Sequence, residues 1–242
     1  MVPIAVALDG EHFDERAGAV EDFYARLRAG AVATTSQPSP ADFTRAYTRA
    51  ATEGAESILS IHLDARTSGT IASAENAARD APIPVIVVDT RTVSFGVAVC
   101  VCAAREIAAA GGSPEESADA ALELGSRIEN VFVARAGPGG RVPAEAGWAL
   151  LRFADGAASV IAACETIDEA VDAMTRCVLA SGPQVPAAVG YAGREMEPAA
   201  DALAHRILST EGALAVERYR VGASVGAHTG AESLGVFWWP GS

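Results

Sequence analysis

Ser57-Ile-Leu-Ser-Ile-His-Leu63, followed by Asp64-Ala-Arg-Thr-Ser-Gly-Thr70, an alanine-rich run over 71–79 and Val85-Ile-Val-Val-Asp89, reads as strand, loop, helix and strand. The outer runs are short and β-branched, and the middle one is built from good helix formers. Strands joined through a helix lie parallel in one sheet, so this stretch predicts a layered α/β fold. Further strands are predicted at 2–8, 130–134, 148–153, 158–163, 186–191, 214–221 and 234–238, with helices filling most of the gaps. Ser39-Pro40 sets a capping serine before a first-turn proline, and Ser113-Pro-Glu-Glu116 and Thr166-Ile-Asp-Glu169 have the spacing of capping boxes. Asp155-Gly156 predicts a tight antiparallel hairpin. The first half therefore reads as βαβ and the second as α+β. The helix end near 126–129 marks the boundary, giving domains 1–127 and 128–242.

The chain has 242 residues, half of them hydrophobic, which is enough for a sizeable core and one or two domains. Its densest apolar run, 97–104, stops at Arg105 and Glu106, well short of the roughly 20 residues that span a bilayer. Asp9, Glu11 and Asp14 leave no leader pattern at the N-terminus. A cytoplasmic protein without membrane insertion is expected. Eighteen basic against 31 acidic residues give a net charge of −13, which disfavours a nucleic-acid partner. Cys100, Cys102, Cys164 and Cys177 are spaced like neither a zinc site nor a redox motif and read as buried free thiols.

Four segments collect hydroxyls, glycines and a histidine at the ends of predicted strands, where α/β proteins place ligands. Thr34-Thr-Ser-Gln-Pro-Ser-Pro40 is a polar, proline-fixed loop, which ordinary capping of the helix at Pro40 would also explain. Ser68-Gly-Thr70 opens a helix, where unpaired N–H groups and a partial positive charge suit an anion; simple capping by Ser68 is the alternative. Gly137-Pro-Gly-Gly-Arg-Val142 presents Arg141 after a flexible turn, as a carboxylate or phosphate partner or as an ordinary surface arginine. Val225-Gly-Ala-His-Thr-Gly230 sets His228 between small residues. His12, His62 and His205 read as structural. No metal-ligand spacing, nucleophile elbow or phosphate loop is present, so neither a resident metal, a hydrolase nor an ATP site is expected.

Together the four segments resemble the DegV family, fatty-acid-binding proteins that serve as carrier subunits of bacterial fatty acid kinase. The resemblance rests on Phe23-Tyr24, Thr35-Ser-Gln-Pro-Ser39, Ile58-Leu-Ser-Ile-His62, Ser68-Gly-Thr70, Val88-Asp89 with Val93-Ser-Phe-Gly96, Gly139-Gly-Arg141 and His228-Thr-Gly230. It implies a two-domain α/β fold, with an N-terminal α/β/α parallel-sheet domain and a C-terminal mixed or antiparallel sheet with helices. It further implies a long-chain fatty acid in an interdomain cleft, its carboxylate held by Thr35, Ser68, Arg141 and His228. Ser36, Gly69, Thr70, Ser94 and Thr229 would support them, and Phe95, Val97, Leu150 and Phe153 are candidate walls for the tail. No catalytic residue and no cofactor beyond the bound fatty acid are implied; a separate kinase subunit would phosphorylate the carboxylate.

This chain departs from the family in three places. Family members usually carry a strand ending in Asp-Ser about twenty residues before the segment matched by Val2-Pro3, so either the start of the chain is misassigned or a first sheet strand is missing. The segment between Arg141 and Trp148 is short, which threatens the tail tunnel. The following helix opens with Cys164-Glu-Thr-Ile-Asp-Glu169, acidic where the family tends to be basic, which bears on kinase docking. Competing readings are a module for another small lipid or carboxylate, a family member that has lost its ligand, and a hydrolase using Ser68 with His228.

Overall fold

A computed structural model of the chain describes residues 1–15, 19–135, 147–182, 184–212 and 214–241. In chain order its elements are β1 (Ala5–Leu8), β2 (Glu11–Phe13), α1 (Ala19–Arg28), β3 (Ala33–Ser36), α2 (Pro40–Thr52), β4 (Ile58–His62), α3 (Thr70–Ala78) and β5 (Val85–Asp89). There follow α4 (Phe95–Ala109), α5 (Pro114–Gly125), β6 (Glu129–Arg135), β7 (Trp148–Ala154), β8 (Ala157–Cys164), α6 (Ile167–Leu179), β9 (Ala187–Tyr191), α7 (Glu197–Leu208), β10 (Val216–Arg220), α8 (Ala223–Thr229) and β11 (Ser233–Trp238). They form two compact units: Met1–Ala5, Ser36–Arg127 and Asp155–Ala157 in the first, Val6–Thr35, Ile128–Ala154 and Ala158–Ser242 in the second. Among the described residues no helix is long and apolar enough to cross a membrane.

In the first unit β4 and β5 pair in parallel, Ile58 opposite Val85 through His62 opposite Asp89, as the opening stretch predicts. Phe43 and Tyr47 of α2 and Ala74 and Ala77 of α3 bury their side chains together with Ile58, Val85 and Val87. The capping signals act as read: Ser39 and Ser113 each accept from the backbone N–H three residues on, with Asp42 and Glu116 returning the bond. The box at Thr166 is not reciprocal, because Glu169 accepts instead from the Glu165 N–H at 2.9 Å.

A buried polar chain runs through this unit. The Tyr47 hydroxyl donates to Ser60 Oγ at 2.9 Å, and Ser60 Oγ lies 2.8 Å from His62 Nε2. The ring of Phe43 meets the imidazole edge-on at 5.4 Å. Burial holds the His62 imidazole below its ordinary pKa. The unfolded chain therefore takes up the proton first, and the stability present above about pH 6.5 declines as the pH falls below that value. Unfolding in urea from pH 7.5 to 5.5 should show this decline, at most about 1.4 kcal/mol per pH unit, and His62→Gln should remove that share of it. An equal pH dependence in the variant would rule the assignment out.

The second unit is built on a six-stranded mixed sheet of order β10-β9-β11-β6-β7-β8. Strands β9 and β10 are parallel, while β11 runs antiparallel to both β9 and β6, and β6 antiparallel to β7. Strand β8 returns from β7 through Asp155 and Gly156, both at positive φ (52° and 79°), as the two-residue hairpin turn requires. One face of the sheet, including Val131, Val133, Leu150, Val189 and Leu234, packs under α6 and α7 through Val171, Met174 and Leu203.

The sequence reading assigned 1–127 to the first domain, whereas Val6–Thr35 groups with the second unit. The cause is aromatic: Phe13, Phe23 and Tyr24 bury their rings with Ala192, Val221, Ala223 and Ala231. Two strands, β2 and β3, were not predicted, and they flank β1 in a small sheet of order β2-β1-β3. The thiols are free, but only Cys100 and Cys164 are buried; Cys102 is exposed and Cys177 half-buried. The shortened segment after Arg141, at 142–146, lies outside the described residues.

Candidate functional site

In the second unit, Thr35 and His228 are brought into direct contact. Thr35 sits on β3, whose alternate residues turn inward, and its Oγ1 lies 3.0 Å from His228 Nε2 although 193 positions separate them. His228 is not in a loop, as its glycine-flanked segment suggested, but in the last turn of α8, which Gly230 ends at φ 84°. Histidine there faces the partly negative helix end, and its imidazole is exposed. Thr229 is engaged differently: its hydroxyl lies 2.9 Å from Ser233 Oγ, within the turn that leads to β11.

Tyr24 positions this arrangement. Its ring is fully buried and its hydroxyl donates to the Val221 carbonyl at 2.9 Å, just before α8 begins. Gly226, in the middle of α8, rests on the ring: a Cβ there would lie 2.7 Å from Cε1 and 2.8 Å from Cζ. Burial pushes the phenol pKa up, which keeps the hydroxyl a donor. Phe23-Tyr24 was noticed in the sequence without a role, because its partners lie about two hundred residues downstream.

In the first unit, the Ser68-Gly69-Thr70 segment opens α3 as predicted. Ser68 Oγ lies 2.6 Å from Thr70 Oγ1 and accepts from the Thr70 N–H at 3.3 Å. No acidic residue stands in the first turn of α3, so the positive end of the helix is left uncompensated by its own side chains. Gly69 lets the Gln37 side chain pack closely, since a Cβ would lie 2.7 Å from its Cδ and 2.8 Å from its Nε2 and the amide would have to shift. Gln37 Nε2 also donates to Ser73 Oγ at 3.3 Å. Gln37 is thus a neighbour of the helix start that the sequence reading quoted but did not single out. Ser36 is exposed at the end of β3.

The loop before α3 is fixed by a second pair without an assigned role. Asp64 is fully buried, and its carboxylate accepts from the Arg66 N–H at 2.8 Å, Nε at 3.0 Å and Nη2 at 2.7 Å. Hydrogen bonding from Arg66 holds the Asp64 carboxyl below the usual carboxylate range. Ser94 stands at the start of α4 with φ 53° and ψ −128°, a conformation costly for any residue with a Cβ. Beside it, Thr92 Oγ1 is buried without a partner among the described residues and faces Gly96.

Arg141 lies outside the described residues. The expected tail walls are not on one surface: Leu150 and Phe153 are three apart on β7 and so point to opposite faces of the sheet. Leu150 belongs to the core under α6 and α7, whereas Leu151 and Phe153 face the other way. Phe95 and Val97 lie half-buried on α4 in the first unit. The hydrolase reading gains nothing, since Ser68 and His228 are each hydrogen-bonded to a threonine hydroxyl.

Comparison with known proteins places these features in a family. The model of a family described as an uncharacterised protein, DegV family, matches residues 1–143. A DegV domain-containing protein of Streptomyces coelicolor is 34% identical over 216 residues, covering 84% of this chain and 77% of the relative. A crystal structure described as a DegV lipid binding protein from Thermotoga maritima superposes with a TM-score of 0.87 at 22% identity, covering 98% of this chain and 89% of that one. A structure described as fatty acid binding of a DegV family protein from Thermus thermophilus superposes with a TM-score of 0.86 at 29% identity, over 98% of this chain and 90% of that one.

Proposed function

This chain belongs to the DegV family, and from that premise we propose that it binds a long-chain fatty acid, with Thr35, His228 and Ser68 as ligands of the carboxylate. The observation that carries the reading is the 3.0 Å contact of Thr35 with His228, since the family resemblance assigns these two distant side chains to one head group. With the proton on Nε2, the imidazole donates to Thr35 Oγ1 and leaves the hydroxyl hydrogen for a ligand oxygen. With the Thr70 hydroxyl as donor to Ser68 Oγ, Ser68 keeps its own proton for a ligand oxygen in the same way. A carboxylate withdrawn from water costs several kcal/mol unless such donors meet it. Arg141 is the proposed fourth ligand, on the resemblance alone. The relative from Thermus thermophilus, described as fatty acid binding, supports the choice of ligand. The resemblance also supports a cytoplasmic carrier, not itself an enzyme, that presents the carboxylate to a separate kinase subunit.

The acyl tail needs apolar surface. Phe132, Leu151 and Phe237 lie on the sheet face turned away from α6 and α7, by the same alternation that separates Leu150 from Phe153. These residues replace Leu150 in the proposal.

Purified protein extracted with organic solvent should release an acyl species by mass spectrometry, and palmitate should raise the melting temperature. Absence of both results would sink the reading. His228→Ala and Ser68→Ala should each weaken palmitate binding about tenfold, near 1.5 kcal/mol for a lost bond to the charged group. Unchanged affinity in both variants would reject these ligands.

A further inference from the structure

A cavity of about 470 Å³ opens in the second unit where α6 passes the edge of the six-stranded sheet. Its position follows from the strand alternation: Glu129, Leu150, Arg152 and Trp238 point to the face that α6 covers, and the apolar core ends at Leu150 and Trp238. From α6 the wall is a single stripe at helical spacing, Ala173, Arg176, Cys177 and Ala180. The two alanines leave the space open, and Arg176 stands between them. At the floor, Trp238 Nε1 donates to Ser181 Oγ at 2.8 Å, which fixes the buried indole in place. Ile161 of β8, 45% exposed, lines the side.

The charges there run against the rest of the chain. Two guanidinium groups, Arg152 and Arg176, face one carboxylate, Glu129, in a protein of net charge −13. Arg152 Nη1 reaches Glu129 at 3.4 Å, long for a charge-assisted bond. Its Nε is buried without an acceptor among the described residues, a costly and scarce state for a donor. Arg176 is exposed and makes no hydrogen bond or ion pair among the described residues. The volume lies within the range of small-molecule sites, which combine apolar walls with a few convergent polar groups.

We infer that this cavity binds a small amphiphilic organic anion, its carboxylate or phosphate group taken by Arg152 and Arg176 and its apolar part by Ile161, Ala162 and Ala173. The site involves none of the residues proposed to hold the fatty-acid carboxylate.

Cys177 is a built-in reporter, because its thiol lines the cavity and is half-buried. In a Cys102→Ser chain, which removes the exposed thiol, Cys177 alkylation by iodoacetamide is followed by peptide mass spectrometry. Hexanoate or hexyl phosphate should slow it at least fivefold, and the stronger of the two identifies the preferred head group. Hexanol and hexylammonium should protect less than twofold. Arg176→Gln and Arg152→Gln should each abolish protection by the anions while leaving the palmitate-induced rise in melting temperature in place. Equal protection by hexanol and hexanoate, or no protection by either anion, would overturn the inference. Neither outcome depends on whether the fatty-acid reading holds.

Discussion

Gly226→Ala is expected to cost about 2–3 kcal/mol of folding stability and to weaken palmitate binding in the same variant. The added methyl group would collide with the Tyr24 hydroxyl and lie 2.7–2.8 Å from two ring carbons. The ring cannot withdraw: it is fully buried, edge-on to Phe23 at 5.2 Å, beneath the Arg220 guanidinium at 5.3 Å, and tethered to the Val221 carbonyl. Alanine's better helix propensity returns up to about 1 kcal/mol, which the stated cost already includes. The remaining way to relieve the clash is to move α8, a helix of seven residues that ends one position after His228. Displacing it separates His228 from Thr35. The melting temperature should fall by about 5–10 °C, and a Tyr24→Leu background should reduce the penalty, as expected for residues in contact. Additive costs would show that Gly226 and Tyr24 do not meet as described.

The parts of the fold that could be read in the sequence are those whose stability is local. Strand β5 was placed end to end because Val85-Ile-Val-Val-Asp89 is an unbroken β-branched run, and the turn at Asp155-Gly156 carries its own backbone chemistry. Strand β3 and helix α8 were missed for the opposite reason. Ala33-Thr-Thr-Ser36 becomes a strand by joining the sheet beside β1, and the short, glycine-interrupted α8 would not persist alone. Both depend on the Phe23-Tyr24 cluster, whose partners around Val221 no local pattern reveals. The same distance explains why the grouping of Val6–Thr35 with the second unit has no signal in the sequence. For the site, Ser68 was legible as a helix start and His228 as an unusual histidine, but the contact with Thr35 needed the fold. The error at Leu150 is different in kind. A separation of three residues on one strand places Leu150 and Phe153 on opposite faces of the sheet, a property visible in the spacing itself.

Asp64→Ala is expected to destabilise the chain by about 3 kcal/mol, toward the low end for a buried ion pair deprived of one partner, because Arg66 is 46% exposed and its charge is partly screened. The fully buried carboxylate is the acceptor for three donors of Arg66, one of them a backbone N–H. It thereby shapes the turn in which the Asp64 carbonyl accepts from both the Thr67 N–H and Thr67 Oγ1, one residue before Ser68. Arg66→Met is expected to be harmful too, since it leaves the carboxylate buried without its guanidinium. Converting that carboxylate to an amide, in the double variant Asp64→Asn/Arg66→Met, should restore part of the loss. Such recovery is the mark of a desolvated charge; simply additive losses would mean that the two side chains act independently. The pH dependence supplies a second readout. Because Arg66 lowers the folded-state pKa of Asp64, the stabilisation is present above the unfolded value near 3.9 and is lost as the pH falls below it. Asp64→Asn should flatten that acid limb, and a limb unchanged from the wild type would remove Asp64 as its source. If the turn positions the start of α3, Asp64→Ala should also weaken palmitate binding at pH 7 under conditions where the variant is still folded. Unaltered affinity there would confine the pair to stability and separate the Asp64–Arg66 turn from the proposed role of Ser68.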